Sequence, residues 1–397
     1  MILTDRHQVF SDSATPQPTA GAPALPHISR KKQIVILLSA FATIALTVGY
    51  NQCYGVFQEY YLSDDQDVLL SPRPATELCY GLTWGGGILV NPVISRIEHG
   101  FWTPPATSTT PSATTTYRRL WRRRLLRLLT LRSITVSSMV LMSAGFALTS
   151  LSTTLWHLLL TQGLLVGLGM SLLYHRATAM GFILAGGGAG GLISSPVIRA
   201  LLSSIGGHWT LRVVAVFYLI AGLPTAWAVP RSRFAGHSSE GQRATHVSRS
   251  LAVHPTFIFS AVAAFLQAAG AQLPLAFIPS YTVVLGETAS KGANLLAASN
   301  AINAVSRILT GYASDRLSRQ NMVVMTLLLS GVSVFGSASS PLWLAFIALY
   351  SFSAGGYYGL FPALITEVFG IRQYAAVNAF ILFVRGLGTV FGTPVGG

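Results

Sequence analysis

Polar and charged residues in this chain are gathered into short segments, and between them the sequence stays apolar for about twenty residues at a time, the length an α-helix needs to cross the ~30 Å hydrocarbon core of a bilayer. The first such span covers 34–57 and meets no charge until Glu59. The second covers 78–97, and the third and fourth fill 133–174 with a break near "TSLSTT" (149–154). The fifth, 177–202, is rich in glycine, and the sixth, 209–229, stops at Pro230. A polar stretch, "RSRFAGHSSEGQRATHVSRS" (231–250), follows. Spans then resume at 253–277, 292–313, 321–338, 341–366 and 373–396. The pattern predicts an all-α polytopic membrane protein with about eleven transmembrane helices, six before a polar linker and five after it. The domain boundaries that follow are a disordered tail at 1–33, an N-terminal six-helix bundle at 34–230, a linker at 231–252 and a C-terminal bundle at 253–397.

Composition agrees. Of 397 residues, 51% are hydrophobic and 10% charged, where a soluble domain carries roughly 25% charged residues. The net charge of +14 would suit nucleic acid, but the basic residues sit between apolar spans, where they act as topology signals, so no nucleic-acid partner is expected. If the helices alternate, Arg30, Lys31 and Lys32, the seven arginines of 118–132, Arg176, Arg231, Arg233, Arg243, Arg249, Arg316, Arg319 and Arg372 all fall on one side. The opposite side has the loop 58–77, with Glu59, Asp64, Asp65, Asp67 and Glu77 against Arg73. The N-terminus is therefore expected in the cytoplasm. The Arg-rich "YRRLWRRRLLRLLTLR" (117–132) reads as a positive-inside anchor rather than a helix lying on anionic lipid. Cys53 and Cys79 are too few for a disulfide framework or a metal site.

Soluble-enzyme signatures are missing: there is no H-E-x-x-H, no phosphate-binding G-x-x-x-x-G-K-[ST] and no cysteine cluster. Neither an enzymatic activity nor a cofactor is expected. Charge inside the membrane is the outstanding chemistry. Arg307 lies in the eighth span and Arg385 in the eleventh, and a cation near the bilayer centre costs roughly 2.5–3.5 kcal/mol even on the lenient insertion scale, so it faces a bundle interior or cavity. Asn303 stands four residues before Arg307, on the same helix face. Asn51, Gln52 and Tyr54 on the first span, Gln267 and Gln272 on the seventh and Asn300 on the eighth supply further polar groups. Two cations with amides and no nearby carboxylate suit an anionic or polar organic solute. The substrate-binding candidates are Arg307, Asn303, Arg385, Asn51, Gln52, Tyr54 and Gln267.

"GFILAGGGAGGLISSP" (181–196) contains Gly186, Gly188 and Gly191 in the spacing G-x-G-x-x-G. The dinucleotide fingerprint also needs a preceding strand and an acidic residue about twenty positions on, whereas the next acid is Glu240. Gly186, Gly187, Gly188, Gly190 and Gly191 instead leave a membrane helix nearly bare, a surface for close helix packing, with Pro196 expected to kink it.

Six helices, a linker and a similar second half resemble the major facilitator architecture, two bundles around a midplane site. "GYASDRLSRQN" (311–321) is similar to that family's G-x-x-x-D-R-x-G-R loop, with Gly311, Asp315, Arg316 and Arg319 in place and Ser318 where glycine is usual. The resemblance implies that its acid and base latch the cytoplasmic face. Within the superfamily "GYNQCYGVFQEYY" (49–61), "LTQGLLVGLGMSLLY" (160–174), "HRATAMGFILAGGGAGGLISSPV" (175–197) and "GLFPALITEVFG" (359–370) resemble the fungal monocarboxylate-porter-like branch. Animal members carry an Asp four residues before the eighth-helix Arg and a Lys on the first helix. The matching positions here are Asn303 and Gln52, so the arginine is kept and the protonatable partners are not.

Three departures stand out. "SRIEHGFWTPPATSTTP" lacks a first copy of the loop motif, "SLLYHRATAM" leaves only Tyr174–Arg176 to turn the chain between spans four and five, and no twelfth span is visible. The resemblance implies a secondary carrier of a small organic, anionic solute working by alternating access, with efflux of a fungal secondary metabolite or transport of a monocarboxylate-like compound as its tasks. A proton is the candidate coupling ion, the carrier is a monomer, and the plasma membrane is its home. The alternative from another class is a non-transporting membrane protein, a sensor or a truncated remnant of a carrier.

Overall fold

The structure is a computed structural model describing residues 29–63, 81–83, 131–177, 181–228, 247–335 and 340–396. Residues 36–397 form one compact unit; residues 1–35 form another, of which the described part is the beginning of the first helix. All regular elements among the described residues are helical. Among the described residues five helical stretches are long and apolar enough to cross a membrane: Gln33–Tyr60, Leu184–Ala228, Pro255–Val284, Leu342–Gly370 and Gln373–Gly392.

The first span is two helices, α1 (Arg30–Gln52) and α2 (Tyr54–Ser63), interrupted at Cys53. There the Cys53 amide bonds the Tyr50 carbonyl at 2.9 Å, tightening the turn, and the thiol donates to the Gly49 carbonyl at 3.1 Å. Of the second span only Gly81–Thr83 is described, and the loop after it lies outside the described residues. The third span is α3 (Leu131–Thr149). The fourth combines α4 (Leu155–Leu158), a π-helical stretch (Leu159–Val166) and α5 (Gly167–Ala177). Residues 174–176, expected to turn the chain, are helical because nothing in "LLYHRA" breaks a helix.

Spans five and six are the arms of α6 (Gly181–Ala228), which meet at Gly206 with φ 74°, a backbone conformation that glycine adopts without a Cβ penalty. Near the end of the linker, α7 (Arg249–Ala252) is capped by the Ser248 hydroxyl, which accepts from the Leu251 amide at 3.3 Å. The seventh span runs to Val284, past the expected 277, as α8 (Pro255–Ala271) and α9 (Leu273–Val284). Pro279 dilutes the apolar signal there but is carried inside the helix. The break falls at Gln272: Pro274 has no N–H to give the Gly270 carbonyl, and the Tyr350 hydroxyl donates to the adjacent Ala271 carbonyl at 2.9 Å. Then come α10 (Ala289–Ser314), capped by Thr288 on the Lys291 amide, and α11 (Arg319–Phe335). The last two spans are arms of α12 (Ser340–Gly396), which meet at Gly370 with φ 77°.

The bundle's outward faces carry exposed Trp156, Phe217, Ile220, Val284 and Val332, as lipid requires. Its interior combines large apolar side chains such as Phe146, Met139 and Met142 with small and polar groups that hydrogen-bond between helices. The Ser143 hydroxyl donates to the Ala215 carbonyl at 2.7 Å, and the Ser299 and Ser351 hydroxyls pair at 2.6 Å. The bare face of α6 is wedged between α1 and α10. A Cβ on Gly186 would stand 2.5 Å from the Phe41 carbonyl oxygen, and one on Gly188 would stand 2.5 Å from that of Asn300. Gly187 faces Val48, Gly190 meets the Ala45 carbonyl and Gly191 meets the Asn300 side chain. The glycines therefore serve helix packing, and Pro196 lies inside the same arm.

Candidate functional site

Interrupted helices and close packing place the intramembrane arginines. Arg307 is 4% exposed on α10. Its Nε donates to Asn303 Oδ1 at 3.0 Å, and its Nη1 donates to the Leu184 carbonyl of α6, tying two helices together. Gly359 lets α12 approach: a Cβ there would stand 3.1 Å from the Arg307 Cα. Arg385, 3% exposed on the second arm of α12, lies over three rings of the first arm: Phe361 at 4.9 Å, Tyr357 at 5.1 Å and Tyr358 at 5.2 Å from ring centroids. Tyr358 also faces the Arg307 guanidinium, at 5.5 Å. Desolvated cation–ring contacts of this kind contribute roughly 2 kcal/mol and hold a guanidinium in one orientation.

Both arginines line one cavity with about 690 Å³ of atom-free space, a figure that includes space open to solvent. Gln52, Gln272, Tyr358, Tyr374 and Asn378 add polar groups to its wall; Leu184, Phe361 and Leu382 add apolar ones. Among the described residues the lining contains no carboxylate. A second cavity, with about 330 Å³ of atom-free space, is walled by Asn51, Gln52, Tyr54, Gln272 and Asn300. The two share Gln52, Gln272 and Leu275, residues at or beside the breaks in the first and seventh spans. Gln272 Nε2 reaches the Tyr358 hydroxyl at 3.4 Å.

Of the residues singled out from sequence, Arg307, Arg385 and Gln52 meet at the first cavity, and Asn51 and Tyr54 join Gln52 at the second. Asn303 acts on Arg307 from the same helix face. Gln267, on α8, lines neither cavity. Tyr358, Tyr374 and Asn378 were not anticipated. The "GGYYG" stretch (355–359) places two tyrosines beside glycines in a charge-free span, but only the fold of α12 on itself shows that they face Arg385.

A buried ion pair also escaped the sequence. Glu59 of α2 and Arg199 of α6 approach to 2.5 Å, with side chains 6% and 19% exposed. The loop reading put Glu59 outside the first span, whereas α2 carries it into the bundle. At the far end of α10, Arg319 reaches Asp315 at 3.4 Å and Glu367 at 3.7 Å. Arg316 turns to Tyr312, donating to its hydroxyl at 2.7 Å, and Gly311 has open space around it.

Buried guanidiniums beside an aromatic-lined cavity, at the interruptions of two membrane helices, are the construction of a polytopic membrane carrier. The Major Facilitator Superfamily model matches residues 124–393. Among similar proteins, an "MFS-type transporter" of Gibberella moniliformis is 26% identical over 67% of this chain and 68% of its own length. The "Agnestins efflux protein AgnL12" of Paecilomyces divaricatus is 25% identical over 92% of this chain and 80% of its own. The "Aspyridones efflux protein apdF" of Emericella nidulans is 23% identical over 91% and 71%. Among solved structures, a bacterial homologue of the human lysosomal transporter Spinster, inward-facing and occupied, shares the fold with a TM-score of 0.60 at 17% identity, covering 92% of this chain and 82% of that one. The chain belongs to the Major Facilitator Superfamily.

Proposed function

We propose that this carrier moves a small organic anion across the membrane by alternating access, and that efflux of a secondary metabolite is its task. The observation that carries the reading is the pair of buried arginines, Arg307 and Arg385, on the wall of one cavity that no carboxylate lines among the described residues. A cationic cavity wall attracts an acid, and planar guanidiniums bind carboxylates or enolates with paired hydrogen bonds. Asn303 orients Arg307, and the Tyr357, Tyr358 and Phe361 rings orient Arg385. Efflux is favoured by relatives named for it, in Paecilomyces divaricatus and Emericella nidulans. In this account the bundles 34–230 and 253–397 rock against each other along the contact of α6 with α10. The N-terminus and the Asp315–Arg319–Glu367 cluster lie on the cytoplasmic side of the plasma membrane.

Everted membrane vesicles test the proposal. Supplied with a small-molecule extract of the source cells, wild-type vesicles should accumulate at least one acidic compound, identified by mass spectrometry, and Arg307→Ala vesicles should not. Uptake at wild-type rate by Arg307→Ala would remove the assignment.

A further inference from the structure

The second cavity has a chemistry of its own. Among the described residues every polar group that lines it is uncharged: two amides and a hydroxyl from the first span and its break (Asn51, Gln52 and Tyr54), Gln272 from the break in the seventh, and Asn300 from α10. Asn51, Tyr54 and Asn300 are 3%, 5% and 2% exposed. Two amide atoms in this wall are buried and bonded to nothing: Asn300 Nδ2 and Gln52 Oε1. Leaving a buried donor or acceptor unsatisfied costs roughly 1–3 kcal/mol for each group, so a packed bundle that keeps two on one small cavity holds them for something that comes and goes. Turning either amide about its last bond exchanges its donor for its acceptor and does not change the conclusion. Whatever fills this space is met by amides that both give and take hydrogen bonds.

We infer that this cavity is a second subsite, which receives an uncharged group able to donate and accept hydrogen bonds, an amide or a hydroxyl, on a solute whose acidic end lies against Arg307 and Arg385. The inference rests on the anion-binding reading above and adds the other end of the molecule. Continuity supports one solute filling both spaces, because Gln52, Gln272 and Leu275 belong to both walls. Apolar Leu275 between the polar ends fits a short hydrocarbon bridge. The carrier therefore selects bifunctional acids over plain monocarboxylates, and Asn300 sets that preference from the eighth span while Arg307, seven residues further along α10, supplies the charge. A simple alkanoate would satisfy the arginines and leave the Asn300 and Gln52 amides unbonded, which is an effective way to reject an analogue lacking the polar group.

The test uses purified full-length protein in lipid nanodiscs, with binding followed by tryptophan fluorescence. The probes are n-alkanoates from butyrate to octanoate and their ω-carbamoyl counterparts. The amide-bearing acid of matching length should bind about tenfold tighter than its parent alkanoate. Asn300→Leu, close in shape, should erase that preference, while Arg307→Gln should weaken both series. A melting temperature for Asn300→Leu at or above wild type is expected, since an unbonded buried amide is replaced by hydrocarbon. Equal affinity of the two series across all lengths, or a preference that survives Asn300→Leu, would overturn the subsite while leaving the anion site standing. A lowered melting temperature for Asn300→Leu would also overturn it, by showing that the amide is a structural group bonded to water. Binding of neither series would count against the anion site itself, and the subsite would fall with it.

Discussion

Adding one methyl group at Gly188 should separate two helices. A Cβ there would lie 2.5 Å from the Asn300 carbonyl oxygen, 2.7 Å from the Ala304 Cβ and 2.9 Å from the Ala304 nitrogen, where ordinary contact begins at 3.4 Å. The shortfall to the carbonyl is 3.4 − 2.5, about 0.9 Å, and the atoms in the way are backbone or short side chain, so α6 and α10 must move apart. Overpacking of this kind costs about 1–3 kcal/mol. The higher helix propensity of alanine returns about 1 kcal/mol, leaving Gly188→Ala destabilised by about 0–2 kcal/mol, and less stable than an alanine that meets no neighbour by about 1–3 kcal/mol. Gly331→Ala in α11 is the matched control, since no atom lies within 4 Å of its added Cβ, and it should be neutral or slightly stabilised. Unfolding in mixed micelles of a mild detergent and dodecyl sulfate, read by tryptophan fluorescence, compares the two. Gly188→Ala as stable as Gly331→Ala would refute the packing role of the glycine face.

Removing one partner of the Glu59–Arg199 pair, as in Glu59→Gln, leaves a largely buried cation and should destabilise by about 2–4 kcal/mol, with the Glu59→Gln/Arg199→Gln double variant recovering much of the loss in the same unfolding assay. Arg385→Lys keeps the charge but loses the planar face that lies over Tyr357, Tyr358 and Phe361, and vesicle uptake should fall about tenfold or more. Asp315→Asn removes a solvent-exposed pair with Arg319 and should change unfolding free energy by less than about 1 kcal/mol, an effect that fades in high salt.

Much of this architecture was legible in the sequence because lipid imposes a harsh rule on length and polarity. The apolar runs that became α1 and α2, α3 and both arms of α6 and α12 could be marked by hydropathy alone, and the cost of an intramembrane cation made Arg307 and Arg385 conspicuous. What hydropathy could not see were the interruptions. No Pro or Gly stands at or next to Cys53, where the first span breaks, and Gln272 interrupts a helix through Pro274, whose effect depends on which carbonyls find other donors. These breaks decide that Gln52 and Gln272, rather than Gln267, reach the cavities. Tyr358 and Glu59 were hidden for a different reason: each gains its role from a partner far away in sequence, Arg385 and Arg199, that only packing brings close. The glycine run shows the same limit in reverse. Its sequence announces close contact, and the structure supplies the partners, Phe41 and Ala45 on one side and Asn300 and Ala304 on the other.

The central claim, that Arg307 and Arg385 bind the acid this carrier moves, is tested most directly in the source cells. Small molecules inside the cells and in the medium are profiled in four strains: gene deleted, deletion complemented by wild type, and deletion complemented by Arg307→Gln or Arg385→Gln, with equal protein in the membrane. The account predicts that an acidic metabolite held inside the deleted strain is released by wild type and retained by both arginine variants. Release at the wild-type level by both variants, or a retained compound with no acidic group, would contradict it.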